Sequence, residues 1–147
     1  MFKNILIPTD GSALSRKAIK AGVTLARTLG AGVTGFYSPE QYEILAYGEY
    51  FPPDLMSRAE WEKRSKKTAV RFLAAIEKEA MAAGVKYSGL YLDSVSPWEA
   101  IIEAAKKKKC DLIFMASHGR SGLSGLLLGS QAAKVLAHSK VSVMIYK

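Results

Sequence analysis

The stretch LIFMASHGRSGLSGLLLGS, residues 112–130, decides the fold class of this chain. Its first part, Leu112–Ala116, is continuously apolar, which is typical of a strand buried on both faces of a parallel sheet. Residues 116–130 then carry four glycines and four serines, which is more chain than a simple connection needs. Ser130 is predicted to cap a short helix that follows. The apolar positions of that helix are predicted to be Ala133, Leu136 and Ala137.

Outward from this stretch, strand and helix patterns alternate along the whole chain. The other predicted strands cover residues 2–8, 33–37 and 87–92, with a last strand in which Val141, Val143 and Ile145 alternate. One predicted helix is capped by Ser12, ends at Gly30 and has Leu14, Ala18, Ala21, Leu25 and Leu29 as its apolar positions. A second is marked by Ala69, Phe72, Leu73, Ile76, Ala80 and Ala83, before Gly84. A third opens at Pro97, with Trp98, Ile101, Ile102 and Ala105 on its apolar face.

This alternation predicts one α/β domain over residues 1–147, an open and mostly parallel five-stranded sheet with helices on both faces. Residues 38–58 interrupt the pattern with a long irregular segment that carries Tyr42, Tyr47, Tyr50 and Phe51. Such a segment is either a satellite cluster that covers the sheet or a lid or interface.

Composition narrows the possible classes of protein. Apolar residues make up 49% and charged residues 23% of the chain, as in ordinary globular domains. No window is apolar enough to span a bilayer, no signal-peptide pattern is present, and the single cysteine, Cys110, cannot form an internal disulfide. We therefore expect a cytoplasmic protein without membrane association. The net charge of +8 permits an anionic partner, but no nucleic-acid-reading motif accompanies it, so nucleic acid is not expected.

Polar segments follow two of the predicted strands, at the positions where open α/β sheets bind ligands. Thr9 and Asp10 follow the first strand, and residues 116–130 follow the fourth. If those two strands are neighbours, both segments face one crevice.

The second segment has the chemistry of a phosphate cradle. Glycines at 119, 122, 125 and 129 allow close backbone approach, and the helix that starts at Ser130 and Gln131 presents free N–H groups. Arg120 supplies a cation and His118 a donor. Asp10 opposite would accept from a sugar hydroxyl or help to hold Mg²⁺. The alternative is a flexible surface loop before a capped helix.

These residues also resemble a known family. The segment Ala116–Gly119 is followed by nine residues and then by Gly129-Ser130. This spacing resembles the nucleotide motif of the universal stress protein family, which is Gly-x-x-Gly, then nine residues, then Gly-Ser/Thr. IPTDGS, residues 7–12, resembles that family's opening, and residues 141–147 resemble its closing strand. The resemblance implies the strand order 3-2-1-4-5 in a Rossmann-like fold of the adenine nucleotide α-hydrolase type.

The resemblance also implies a member of the ATP-binding-motif type, with Mg²⁺ as a possible companion of the ATP. Asp10 would contact the ribose, and Ser38 would lie beside adenine. His118 and Gly119 would follow the phosphates to the helix start. Ala116 stands where the motif has its first glycine. The implied nucleotide-binding residues are Pro8, Thr9, Asp10, Ser38, Ala116, His118, Gly119, Arg120, Gly129, Ser130 and Gln131.

The implied function is that of a regulatory dimer in the stress response. Two copies would pair through the last strand, residues 141–146, which ends at Tyr146 and leaves an open edge. A nucleotide-independent interaction module of the same fold is the alternative. Catalysis has little support beyond slow ATP hydrolysis, because no acid is placed beside His118. A response-regulator receiver domain is not expected, because it needs two acids after the first strand and this chain has only one there. Neither a dinucleotide-binding fingerprint nor a P-loop is present.

Overall fold

The computed structural model describes residues 1–39, 56–94, 96–120, 122 and 127–147. The strands are β1 (Asn4–Pro8), β2 (Gly32–Tyr37), β3 (Tyr87–Tyr91), β4 (Leu112–Ala116) and β5 (Ser142–Tyr146). The helices are α1 (Ala13–Leu29), α2 (Arg58–Ala82), α3 (Pro97–Lys107) and α4 (Ser130–His138). Tyr42, Tyr47, Tyr50 and Phe51 of the predicted irregular segment lie outside the described residues, as do residues 121 and 123–126 of the glycine-rich stretch.

The five strands form one sheet in the order β3-β2-β1-β4-β5. Every neighbouring pair is parallel; Ile5 lies opposite Val33 on one side and opposite Leu112 on the other. The predicted fold class and strand order are therefore confirmed. Because the strands are parallel, the carboxyl ends of the neighbours β1 and β4 share one edge of the sheet.

The core has two layers, one on each face of the sheet. Ile5 and Ile7 of β1 pack under α1 and α2, in a cluster with Val23 and Ile76. Leu6, between them, faces α3 and α4 in the second cluster, as the alternation of side chains along a strand requires. None of the helices in the described part of the chain is long and apolar enough to cross a membrane.

Helix α1 begins and ends as its sequence predicts. The Ser12 hydroxyl accepts a hydrogen bond from Ser15 N at 3.2 Å, and Gly30 follows the helix with a φ of 65°, a conformation that glycine adopts at little cost. Of the predicted apolar positions, Ala18 is buried and Ala21 and Leu25 pack against the same cluster, whereas Leu29 is 37% exposed. Ile19 and Val23, which were not predicted, are also buried.

Helix α2 begins at Arg58, well before its first predicted apolar position at Ala69. Its first half is polar except for the buried Trp61, so periodicity did not reveal it. The signal that was available is the capping box S-x-x-E: Ser57 N donates to Glu60 Oε2 at 2.9 Å, and Glu60 N donates back to Ser57 Oγ at 3.3 Å. The bond from Ser57 N, and secondarily one from Ser57 Oγ, to the Glu60 carboxylate lowers the pKa of Glu60 from its usual value.

Helix α4 corrects two predictions. Its N-cap is Gly129 and not Ser130, which is the first helical residue. Ala132 and Val135 are its buried positions, whereas the predicted Ala133, Leu136 and Ala137 are exposed. Ala132 and Val135 are three residues apart and both pack in the second cluster, so contact with the sheet, and not the total count of apolar residues, decides the buried face.

Candidate functional site

The turn after β1 is held by its own side chains. Thr9 is buried; its hydroxyl lies 2.8 Å from Ser15 Oγ and accepts from Gly11 N at 3.2 Å. Asp10 Oδ1 accepts from Ser12 N at 2.9 Å, the turn that aspartate favours. Gly11 has a φ of 76°. The buried Thr9 side chain therefore fixes the conformation of the turn, and the Asp10 carboxylate lies at the edge of the turn.

The end of β4 is tied directly to the start of α4. Gly129 N donates to Ser117 O at 2.6 Å. A Cβ on Gly129 would lie 3.1 Å from Ser117 O and 3.2 Å from His118 Cα, so only a residue without a side chain sits here without moving the backbone. His118 Nδ1 lies 3.1 Å from Ser117 Oγ.

The two turns meet across the sheet. Asp10 Oδ2 accepts from Arg120 N at 2.8 Å, and a Cβ on Gly119 would overlap that same carboxylate oxygen. The juxtaposition that the sequence analysis could only assume is therefore present, because β1 and β4 are neighbours.

The start of α4 differs from the other three described helix starts. Ser12 and Ser57 cap α1 and α2 with their side chains. The side chain of Gln131 accepts from Trp98 N in the first turn of α3 at 3.1 Å. Helix α4 has glycine as its N-cap and no side-chain cap. Within the part of the chain that the structure describes, its first N–H groups and the positive end of its dipole are thus left for another acceptor.

Gln131 has a second role that the sequence analysis missed. It was expected to offer its amide to phosphates, yet its Oε1 accepts from Trp98 N. Position 131 belongs to α4 and Trp98 to α3, so this contact depends on how the two helices pack. Nothing in the local sequence of either helix indicates it.

Phe72 is the other residue that sequence reasoning assigned only to a helix face. Its ring lies against Gly11, where any Cβ would overlap it. It meets the Tyr37 ring edge-on at 5.2 Å, and the guanidinium groups of Arg120 and Arg71 lie 5.4 and 5.1 Å from its centroid. Phe72 thus forms an apolar wall beside Asp10 and holds the Arg120 side chain at the rim.

The remaining predicted residues also lie at the carboxyl edge. Pro8 ends β1, and Ser38 follows β2, with its hydroxyl oxygen buried and without a hydrogen-bond partner among the described residues. Ala116 ends β4, and its methyl group packs against the cluster under α1 and α2. At the end of β3, burial and then Asp93 raise the pKa of Tyr91. In the described part of the chain, no three His, Cys, Asp or Glu side chains are grouped to share a metal ion.

Comparison with known proteins decides the family. The model of the Universal stress protein family matches residues 1–147. The chain belongs to the universal stress protein family. Universal stress protein MJ0531 of Methanocaldococcus jannaschii is 33% identical over 150 residues, which cover 100% of this chain and 83% of the relative. A universal stress protein of Thermus aquaticus is 32% identical over 149 residues, with both chains fully covered.

Solved structures of this universal stress protein's relatives have the same architecture. The structure of protein MJ0577 superposes with a TM-score of 0.83 at 27% identity, over 100% of this chain and 96% of that one. A universal stress protein in complex with cAMP superposes with a TM-score of 0.70 at 25% identity, over 99% and 97% of the two chains. Within this universal stress protein, motif glycines 119 and 129 are positions where a Cβ would press on Asp10 or on the backbone of His118.

Proposed function

We propose that this universal stress protein binds an adenine nucleotide, ATP, in the crevice between the ends of β1 and β4, and that it acts as a regulator in a stress response. One observation carries the proposal: the Asp10 carboxylate accepts from the loop after β4, and the start of α4, which has no side-chain cap among the described residues, lies at the same edge of the sheet. The universal stress protein whose structure contains cAMP supports it.

The phosphates would lie on the backbone between β4 and α4. No side chain of the described residues caps the start of α4, where the amides of Ser130 and Gln131 lie, and a helix start of this kind binds phosphate. Because Gly119 and Gly129 have no side chains, phosphate oxygens could approach the backbone closely there. His118 and Arg120 would add hydrogen-bond donors. The Ala116 methyl group does not close this path, because it packs into the core.

The nucleoside would lie between Asp10 and the end of β2. Each Asp10 oxygen accepts one backbone N–H and keeps a further lone pair, which suits a ribose hydroxyl. Pro8 and Thr9 would support the sugar through their backbone. The Ser38 hydroxyl, buried without a described partner, would meet a polar atom of the adenine edge. The residues present therefore fit a nucleotide.

Mg²⁺ would enter with the triphosphate rather than through a protein cage. Magnesium often uses one or two carboxylates together with phosphate oxygens, and Asp10 is the carboxylate at this crevice. Hydrolysis would be slow at most. Ser117 Oγ faces His118 Nδ1, and no acidic side chain of the described residues is hydrogen-bonded to this imidazole, so it lacks the orienting acid of a catalytic triad.

The proposed assembly is a homodimer through β5. Among the described strands, β5 pairs only with β4, so its outer edge presents backbone groups that a twin strand would satisfy. Met144 on β5 is 41% exposed, whereas Val143 and Ile145 pack toward α3 and α4. Sedimentation velocity at micromolar concentration tests this assembly; a single monomer boundary would exclude it. We also infer a cytoplasmic location from the single cysteine, Cys110, which is buried and unpaired.

The test of the nucleotide site is calorimetry with Mg-ATP on the natural protein and on Gly129→Val. Valine at 129 presses a branched side chain on Ser117 O and His118, so binding should weaken at least about tenfold through the lost close approach. The matched control is Gly32→Val, where a Cβ meets its nearest neighbour, Lys86 O, at an ordinary 3.5 Å. Equal binding by natural protein and Gly129→Val would refute the site.

A nucleotide-independent interaction module is the second candidate. The observation in its favour is that both Asp10 oxygens are already bonded to backbone amides, so the crevice is stable without a ligand. Mass spectrometry of the protein released from a native purification separates the two candidates. Co-purifying adenine nucleotide supports the first; no nucleotide together with no calorimetric binding by any form supports the second.

A further inference from the structure

A second concavity lies at the opposite edge of the sheet, where β1, β2 and β3 begin. It is an open groove of about 580 Å³ between the end of α1 and the turn that precedes β3. Small-molecule sites have volumes of about 300–1,000 Å³. The groove shares none of its lining residues with the nucleotide crevice, which lies at the carboxyl ends of the strands.

The charge of this groove has one sign. Lys3, Arg27 and Lys86 line it, and none of its lining residues is acidic. Asp111 lies at the same edge, but its carboxylate oxygens accept from the backbone N–H groups of Lys3 and Asn4 at 2.8 and 3.1 Å. A run of four lysines, residues 106–109, ends α3 at this edge as well. The three cations of the groove and these lysines therefore lie at the same edge of the sheet.

Compensation of helix dipoles accounts for only part of this charge. Arg27 is in the last turn of α1, where a cation offsets the negative helix end. Lys3 precedes β1 and Lys86 precedes β3, so both lie outside any helix. Their convergence with Arg27 on one groove is a product of the sheet order, which places β1 and β3 on either side of β2.

The inner wall of the groove is formed by small residues and backbone. Ala26, Ala31 and Val33 line it and are buried, and Gly30, Gly32 and Gly84 add no side chain. The Ser88 hydroxyl lies 3.2 Å from the Thr34 hydroxyl, so it is already engaged within the sheet. At Gly30 no atom would meet a Cβ within 4 Å, so no side chain closes the groove there.

We infer that this groove is a second binding site, for a small organic anion that carries at least two negative charges as carboxylates or phosphates. Arg27 offers a planar fork that matches either group, and Lys3 and Lys86 offer mobile point charges. The anionic groups would contact these side chains at the rim, and the rest of the molecule would lie in the groove. The inference is independent of the nucleotide proposal, since the two sites occupy opposite ends of the strands.

The experiment is a titration of the full chain with citrate and, separately, with tripolyphosphate, followed by ¹H–¹⁵N spectra at constant ionic strength. Saturable shifts are expected at the amides of Gly30, Gly32 and Lys86. The double variant Arg27→Gln/Lys86→Gln should bind at least about tenfold more weakly, because two charge-assisted contacts are lost. The matched control, Lys66→Gln/Lys67→Gln, removes two exposed cations of α2 and should bind as the natural protein does.

Three results overturn the inference. Shifts that grow linearly without saturation indicate screening alone. Equal weakening in both double variants indicates attraction to the overall charge. Shifts confined to Gly119 and Gly129 assign the anion to the nucleotide crevice. The variant Gly129→Val keeps the two proposals distinguishable, because the groove predicts unchanged shifts at Gly30 and Gly32 in it. Saturation by citrate alone or by tripolyphosphate alone identifies which anionic group the groove accepts.

Discussion

Asp10 and Arg120, 110 residues apart in the chain, are joined by a hydrogen bond of 2.8 Å from the Arg120 backbone N–H to Asp10 Oδ2. The bond links the turn after β1 to the loop after β4. It also brings Gly119 so close that a Cβ there would overlap the same oxygen. A ligand hydroxyl that binds Asp10 Oδ2 must therefore share this oxygen with Arg120 N or displace it.

Gly119→Ala is expected to disrupt this contact. The added Cβ overlaps Asp10 Oδ2, so the loop must move, and the free energy of unfolding should fall by about 1–3 kcal/mol, as in other overpacked sites. ATP affinity, measured by calorimetry, should fall at least about tenfold because the carboxylate is displaced from its place. Gly32→Ala is the control, since its Cβ meets only ordinary contacts. Natural affinity in Gly119→Ala would contradict the assigned geometry.

Ala116→Gly restores the glycine that the family motif has at this position. Its methyl group packs against the core under α1 and α2, so its loss should lower the free energy of unfolding by about 0.5–1 kcal/mol, the usual cost of glycine in a strand. ATP affinity should stay within about twofold, because the methyl group does not face the crevice. Denaturant unfolding and calorimetry measure the two effects. A gain of tenfold in affinity would show that the methyl group obstructs the nucleotide.

Two substitutions of Gln131 separate its role in helix packing from its contact with the ligand. Gln131→Ala removes the acceptor of Trp98 N and should cost about 1 kcal/mol of unfolding free energy, as loss of a helix cap does. Gln131→Glu keeps an acceptor for that amide, so its stability should be preserved. The same carboxylate lies in the first turn of α4 and should repel phosphates, so ATP affinity should fall in the glutamate variant. Unchanged affinity in Gln131→Glu would place the phosphates elsewhere.

The raised pKa of Tyr87 predicts how the free energy of unfolding changes at alkaline pH. Burial, and secondarily Glu77, raises its pKa to about 12, and its hydroxyl donates to Leu73 O at 3.0 Å. In the unfolded chain it titrates near its ordinary pKa of 10.0. Its contribution to stability is therefore complete below pH 10 and is lost as the pH rises toward 12.

The measurement is the free energy of unfolding from pH 8 to 12 for the natural protein and for Tyr87→Phe. The variant should be less stable at pH 8 by about 1 kcal/mol through the lost hydrogen bond. The gap should narrow above pH 10, where the natural protein loses the contribution of Tyr87. Tyr146→Phe is the control, because it also removes one tyrosine hydroxyl. A constant gap between natural protein and Tyr87→Phe would show that Tyr87 does not carry this dependence.

Local patterns in the sequence were enough for the order of the elements, the Ser12 cap, the glycine end of α1 and the two polar turns that form the candidate site. These features depend on neighbouring residues, on the period of apolar positions and on backbone preferences at glycine, proline and serine. The long polar start of α2 was missed because its apolar period is weak, although the capping box at residues 57–60 was readable.

Tertiary packing alone decided which face of α4 is buried, where the Phe72 ring lies and what the Gln131 side chain does. Ala133 and Leu136 are as apolar as the buried Ala132 and Val135, and only the placement of α4 on the sheet separates them. The meeting of Asp10 with Arg120, and the presence of Lys3 and Lys86 on one groove, likewise follow from strand order. Backbone preferences act over a few residues, whereas contact between distant residues depends on how the sheet and the helices pack together.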